Sequence, residues 1–120
     1  MPGFHAFLTR MPYELAFSRE DPATIVDRYY TPDLEYHNDG IVLDRQRLID
    51  HARPARRNAR ELEIEVHDTL IEDDRAAARY TMNVLTRKDT TLQIEVHLFA
   101  RYAPDGRVQR VDSITRTVTP

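Results

Sequence analysis

Tyr29-Tyr30-Thr31-Pro32-Asp33-Leu34-Glu35-Tyr36-His37-Asn38-Asp39-Gly40 is the stretch on which the fold turns. Thr31-Pro32 closes a helix, because the residue before a proline is pushed out of the helical region. Leu34–Asn38 alternates apolar and polar residues, the pattern of a half-buried strand. Asn38-Asp39-Gly40 then signals a tight turn, so Ile41–Leu43 returns as a short hairpin partner.

Upstream of this stretch, Asp21-Pro22 pairs a capping carboxylate with proline at a first helical position. It opens a helix over Pro22–Tyr30 with Ile25, Val26 and Tyr29 at core spacing. Residues 1–11 read as a short helix or packed arm. Pro12 starts a second short helix to Ser18, with Tyr13 and Phe17 on one face. Downstream, Asp44 caps a third helix with Leu48, Ile49 and Ala52 inward, and Pro54 predicts a kink or break near Arg53. The remainder reads as four strands, Glu61–Leu70, Ala76–Thr86, Leu92–Tyr102 and Val108–Val118. Their apolar residues alternate with polar ones, and polar or Pro-Asp-Gly turns separate them. The alternation slips between Val108 and Val111, which predicts a bulge. Helices followed by an antiparallel meander give an α+β class: a curved antiparallel sheet wrapped around N-terminal helices, leaving an internal cavity between them.

The 120 residues fit one domain, residues 1–120, with an ordinary apolar share of 41%. Cysteine is absent, which excludes disulfides and thiolate metal sites. A net charge of −3 gives no general attraction to phosphate backbones. The apolar runs are too short to span a membrane. The N-terminus lacks a signal-peptide pattern, so a cytoplasmic location is the expectation. Six arginines, Arg45, Arg47, Arg53, Arg56, Arg57 and Arg60, fall within sixteen residues of the third helix. No aromatic side chains interleave them, which reads as a solvated face rather than a nucleic-acid site. Ile-Glu-Val-His occurs at 64–67 and again at 94–97. A strand between the copies would hold the histidines about 10 Å apart, too far for one ion. No metal and no cofactor is expected, since no phosphate-binding glycine loop is present either.

Four segments in order resemble the nuclear transport factor 2-like superfamily, and within it the SnoaL-like proteins. They are Tyr30–His37, Asp44–Ile49, Leu70–Ala77 and Phe99–Val108. The resemblance implies the cone fold and a small, mainly apolar ligand in its cavity. It leaves the activity open, because the superfamily hosts isomerases, cyclases, hydrolases and non-catalytic domains. The ketosteroid isomerases among them use a tyrosine donor on the first helix, a carboxylate base in the first strand and a second acid in the fifth. By register these positions fall on Tyr13, Asn38 and Leu98. The tyrosine is kept and both carboxylates are lost, and asparagine cannot take a proton at neutral pH.

SnoaL-like cyclases place an acid–base aspartate in the last strand, where Asp112 is the candidate. The suspected bulge leaves both facings open. His37 alternates with Tyr36 and Asn38, so it faces away from the cavity if those two face in, whereas the competing register places His37 and Asp39 inward as an acid–base pair. The candidate catalytic set is therefore Asp112, His37 and Tyr13, with Tyr36, Asn38, Tyr80, Leu98 and Ser113 as candidate ligand contacts. Two function classes follow: an acid–base isomerase or cyclase, or a binding or dimerisation module without a competent base. The outward row Glu95, His97, Phe99 and Arg101 carries an exposed aromatic, and the resemblance implies a homodimer through that face.

Overall fold

A computed structural model describes residues 3–118. The element order is α1 (Phe4–Phe17), α2 (Pro22–Tyr29), β1 (Tyr30–Asn38), β2 (Ile41–Leu43), α3 (Arg45–Asn58), β3 (Ala59–Glu72), β4 (Arg75–Thr86), β5 (Thr91–Tyr102) and β6 (Val108–Val118). The strands form one open sheet in the order β2-β1-β6-β5-β4-β3. The class is α+β, as expected, and the sheet is mixed rather than wholly antiparallel. β1 runs parallel to β6, with Tyr36 beside Val111 and Asn38 beside Ser113, while the other neighbours are antiparallel. Among the described residues, no helix is long and apolar enough to cross a membrane.

Local chemistry accounts for most boundaries. The Asp21 carboxylate accepts the Ala23 N–H at 2.9 Å, and Asp44 accepts that of Arg47 at 2.9 Å, so each caps its helix. Asp39 and Gly40 both have positive φ, 52° and 81°, which a two-residue primed hairpin turn requires. Arg107 donates to the carbonyls of Asp27 and Tyr30, pinning the end of α2 to the start of β1.

Pro12, expected to start a helix, and Pro54, expected to kink or break one, both lie inside continuous helices, α1 and α3 respectively. Each removes one backbone donor, yet the apolar face runs on past it and packing holds the helix together. On α1 that face includes Phe4, Phe7, Leu8 and Ala16. Arg56 of α3 donates from Nε to the Leu15 carbonyl at 2.9 Å, satisfying an acceptor in the last turn of α1.

The core lies between the helices and the inner face of the sheet. Ile25, Val26, Tyr30, Val108 and Val111 are almost wholly buried. The predicted bulge is present. Tyr102 pairs with Val108 and Arg101 with Arg110, leaving Gln109 without an opposite number. Beyond it the alternation restarts, with Val111 and Ser113 buried and Asp112 and Ile114 exposed. The two Ile-Glu-Val-His copies lie on β3 and β5 with β4 between them, and His67 meets the Thr81 hydroxyl at 2.7 Å.

Candidate functional site

α1 and α3 cover only part of the inner sheet face, and between them is a hollow of about 480 Å³. Its helix side is formed by Met11, Leu15 and Ala16 of α1 and by Leu48, His51, Ala52 and Ala55 of α3. These α3 positions follow the three- and four-residue spacing of one helix face. The sheet side carries Tyr30, Tyr36, Tyr80, Met82 and Val84. The wall is thus largely apolar, with a few phenol groups set into it. Burial pushes the hydroxyls of Tyr30, Tyr36 and Tyr80 above the usual phenol range, and for Tyr36 the Ser113 hydroxyl partly offsets it. They are neutral phenols at physiological pH, able to donate or accept a hydrogen bond but not to act as bases.

A second, smaller cleft of about 370 Å³ adjoins the hollow between α3 and the β1–β2 hairpin. Asn38, Ile41, Leu43, Arg47, Asp50 and His51 line it, and His51 borders both spaces. Asn38 is fixed from below: its Oδ1 accepts the Ser113 hydroxyl at 2.8 Å. Ser113 is buried, and this bond satisfies its polar atom.

The candidate residues divide along the sheet. Tyr36 and Tyr80 line the hollow, and Asn38 lines the adjoining cleft. Leu98 and Ser113 point inward but pack in the core and line neither space, a correction to their expected contact role. Leu98 is 2% exposed, flanked by Ala78 and Ser113 on neighbouring strands.

Asp112 and His37 sit beside each other on the convex face, because β1 and β6 pair in that register. Asp112 is gripped by Arg110, with Nε 2.9 Å from Oδ2. That hydrogen bond, with the charge behind it, holds the Asp112 carboxyl below the usual carboxylate range. It is a permanent anion in water rather than a desolvated acid, and it does not line the hollow. His37 lies 3.9 Å from Glu35 on the same outer side. The expected inward alternative for Asp112 is thereby corrected: the bulge at Gln109 sets the parity that turns it out.

Tyr13 is also displaced from its expected place. It is 54% exposed and packs on Phe17 with ring centroids 4.8 Å apart. The pair borders an outer groove with Leu62, Val84 and Leu92, residues that also reach the hollow. Tyr13 is therefore a rim residue.

His51 is the titratable group that the sequence reading passed over. Its spacing could have found it: it stands three residues after Leu48 and one before Ala52, inside the apolar face of α3.

With this geometry the chain resembles several solved structures. AclR of Streptomyces galilaeus, provisionally named a hydroxylase, superposes with a TM-score of 0.70 at 17% identity, over 88% of this chain and 70% of that one. A provisionally named isomerase from Rhodopseudomonas palustris gives 0.74 at 10% identity, over 88% and 84%. A provisionally named SnoaL-like polyketide cyclase from Shewanella denitrificans OS-217 gives 0.69 at 8% identity, over 88% and 85%. At such identities the likeness shows the fold alone. No curated protein matches the chain in sequence. The SnoaL-like domain, however, matches residues 9–111, most of the chain's length, and the protein belongs to the SnoaL-like family.

Proposed function

We propose that the protein binds a small, mainly apolar molecule in the hollow between α1, α3 and the inner sheet face. The observation that carries this reading is the wall itself. About 480 Å³ lies within the range of small-molecule sites, and apolar side chains with a few inward hydroxyls are their usual composition. Relatives in fold bear the provisional names hydroxylase, isomerase and polyketide cyclase, and the last of these names a small-molecule substrate class. The test is titration with 2-naphthylmethanol, followed calorimetrically and by NMR of the alanine methyl groups. Saturable binding that shifts Ala52 and Ala55 is expected. No binding up to millimolar probe would overturn the reading.

A second reading, acid–base chemistry on the bound molecule, is favoured by one observation. Among the described residues, the titratable walls of the hollow are tyrosines and His51, and no carboxylate lines it. Imidazole is the side chain suited to moving protons near neutral pH. The base of an isomerase or cyclase would then be His51, with Tyr36 or Tyr80 donating to the carbonyl oxygen. Deuterium exchange at the α-carbon of 2-tetralone tests it. Exchange faster than buffer that His51→Ala removes supports catalysis, and exchange at the buffer rate leaves a binding module.

For the partner, we propose a second copy across the convex face. Phe99 and Ile114 are each 68% exposed on adjacent strands, with Glu95–Arg116 and Arg110–Asp112 pairs around them. Charges of both signs on one face let a two-fold copy match its own pattern. Sedimentation velocity should show a dimer at tens of micromolar, as an order of magnitude for a modest interface, and a monomer for Phe99→Arg. A wild-type monomer at that concentration would refute it.

A further inference from the structure

The cleft beside the hollow differs from it in chemistry. The hollow's wall is largely apolar with phenols set into it, whereas the cleft sets the donors Arg47, His51 and Asn38 and the acceptor Asp50 around an apolar floor of Ile41 and Leu43. Arg47 and His51 stand four residues apart on α3, so they share a helix face and both border the cleft. Across from them is Asn38. Its Oδ1 is occupied by the Ser113 hydroxyl, which leaves the amide N–H₂ as its free function.

Arg47 is also electrically unspent. Arg45 is paired with Asp27 and Arg60 with Asp89, whereas Arg47, like Arg53, Arg56 and Arg57, forms no ion pair among the described residues, and of these four it alone borders the cleft. Its side-chain contact is a long one, Nη1 to the Val42 carbonyl at 3.4 Å. Asp50 is the carboxylate within reach by helical spacing. Its Oδ1 instead accepts the Gln46 amide at 2.9 Å.

We infer that this cleft is a carboxylate subsite, in which Arg47, His51 and the Asn38 amide take the acid group of an amphipathic molecule whose apolar body fills the hollow. The inference rests on the proposed occupancy of the hollow and adds the ligand's chemical class, a monocarboxylic acid with a rigid apolar body. His51 borders both spaces, so one molecule extending past it would place its body and its head in the two environments that suit them. A single guanidinium, with a fork that matches a carboxylate bidentately, suits one negative charge. The Asp50 carboxylate on the cleft wall opposes a dianion such as phosphate.

Three probes of one shape test it: 2-naphthoate, 2-naphthylmethanol and 2-naphthylmethylamine, each titrated calorimetrically at pH 7 and low salt. The acid should bind at least tenfold tighter than the alcohol, and the amine weaker than both. Arg47→Gln should remove the preference by weakening the acid about tenfold while leaving the alcohol within twofold. Arg53→Gln, an equal charge change on the same helix outside both spaces, should leave the preference intact. In ¹⁵N spectra the Asn38 side-chain amide should move with the acid and not with the alcohol. Equal binding of acid and alcohol, or a preference that survives Arg47→Gln, overturns the subsite and leaves the hollow reading standing. Tighter binding of the amine reassigns the cleft to cations through Asp50 and overturns it as well. Binding of none of the three refutes the hollow reading, and the subsite falls with it.

Discussion

Filling the hollow from α3 separates an empty space from a packed one by the sign of a free energy. Ala55 is partly buried and faces the hollow. Ala55→Leu adds about three methylene equivalents, worth at most ~2.4 kcal/mol at ~0.8 per buried group. Side-chain ordering removes roughly 0.5–1 kcal/mol, and leucine's helix propensity costs a few tenths more. The net is a stabilisation of about 1–1.5 kcal/mol, or a melting temperature higher by roughly 3–6 °C for a chain of this size. In a close-packed core the same change costs about 1–3 kcal/mol through overpacking. Ala100 supplies that comparison, being 4% exposed, in the core cluster and off the hollow's wall. Urea unfolding followed by circular dichroism should move the two midpoints in opposite directions with the slope unchanged. Ala55→Leu should also abolish binding of 2-naphthylmethanol. A loss of about 1 kcal/mol or more at Ala55, matching Ala100→Leu, would show that the space is filled in solution and that no hollow exists there.

Three further outcomes follow from the geometry. His37→Ala and Asp112→Asn should leave the affinity for 2-naphthylmethanol within twofold, since both residues stand on the convex face; a tenfold loss by calorimetry would return them to the site. Ser113→Ala removes the buried donor to the half-buried Asn38 Oδ1 and should cost about 1 kcal/mol in denaturant unfolding; a change below a few tenths would mean that water replaces the hydroxyl. Asp39 is held below the ordinary aspartate value of 3.8 by the Thr115 hydroxyl first and its N–H second. A depressed native value stabilises the fold above 3.8, and the gain is lost as pH falls through the lowered value. Asp39→Asn, which keeps a residue tolerant of positive φ, should therefore melt below wild type at pH 7, with the gap closing below about pH 3.8. A gap independent of pH would assign the effect to the turn rather than to the charge.

The sheet was legible because its strands carry strict alternation, and the turns because Asp39-Gly40 and Asp105-Gly106 have few other conformations open to them. Period alone put His37 opposite Tyr36 and Asn38 but left open which side faced in; in the structure Tyr36 and Asn38 line the inner spaces and His37 lies outside. Asp112 was not decidable in the same way. One unpaired residue inverts every side chain beyond it, and the alternation does not say whether the bulge falls before or after Arg110. Pro12 and Pro54 misled for another reason. Local propensity marks a proline as a boundary, a start at Pro12 and a break at Pro54, whereas burial of Phe7, Leu8 and Ala52 around these positions outweighs one missing donor each. The parallel pairing of β1 with β6 joins residues about 75 positions apart, as Asn38 to Ser113, a distance over which the strand pattern is silent. His51 stands among arginines in a segment whose charge draws the eye, although its helical spacing already aligns it with Leu48 and Ala55.

β3 ends the sheet on one side, and over its fourteen residues only β4 pairs with it. The outer row of backbone donors and acceptors is a template onto which another extended chain could add, the first step toward fibrils. Two features along the strand work against that. Glu61, Glu63 and Glu65 place like charges where a stacked copy would meet its own, and the register break between Val66 and Asp68 bends the edge out of line. Neither reaches the far end, where Leu70 and Ile71 are 76% and 67% exposed on consecutive positions. The resistance of this protein to self-templated aggregation therefore depends on those two residues, and a lysine at either would close the last unguarded length of the edge.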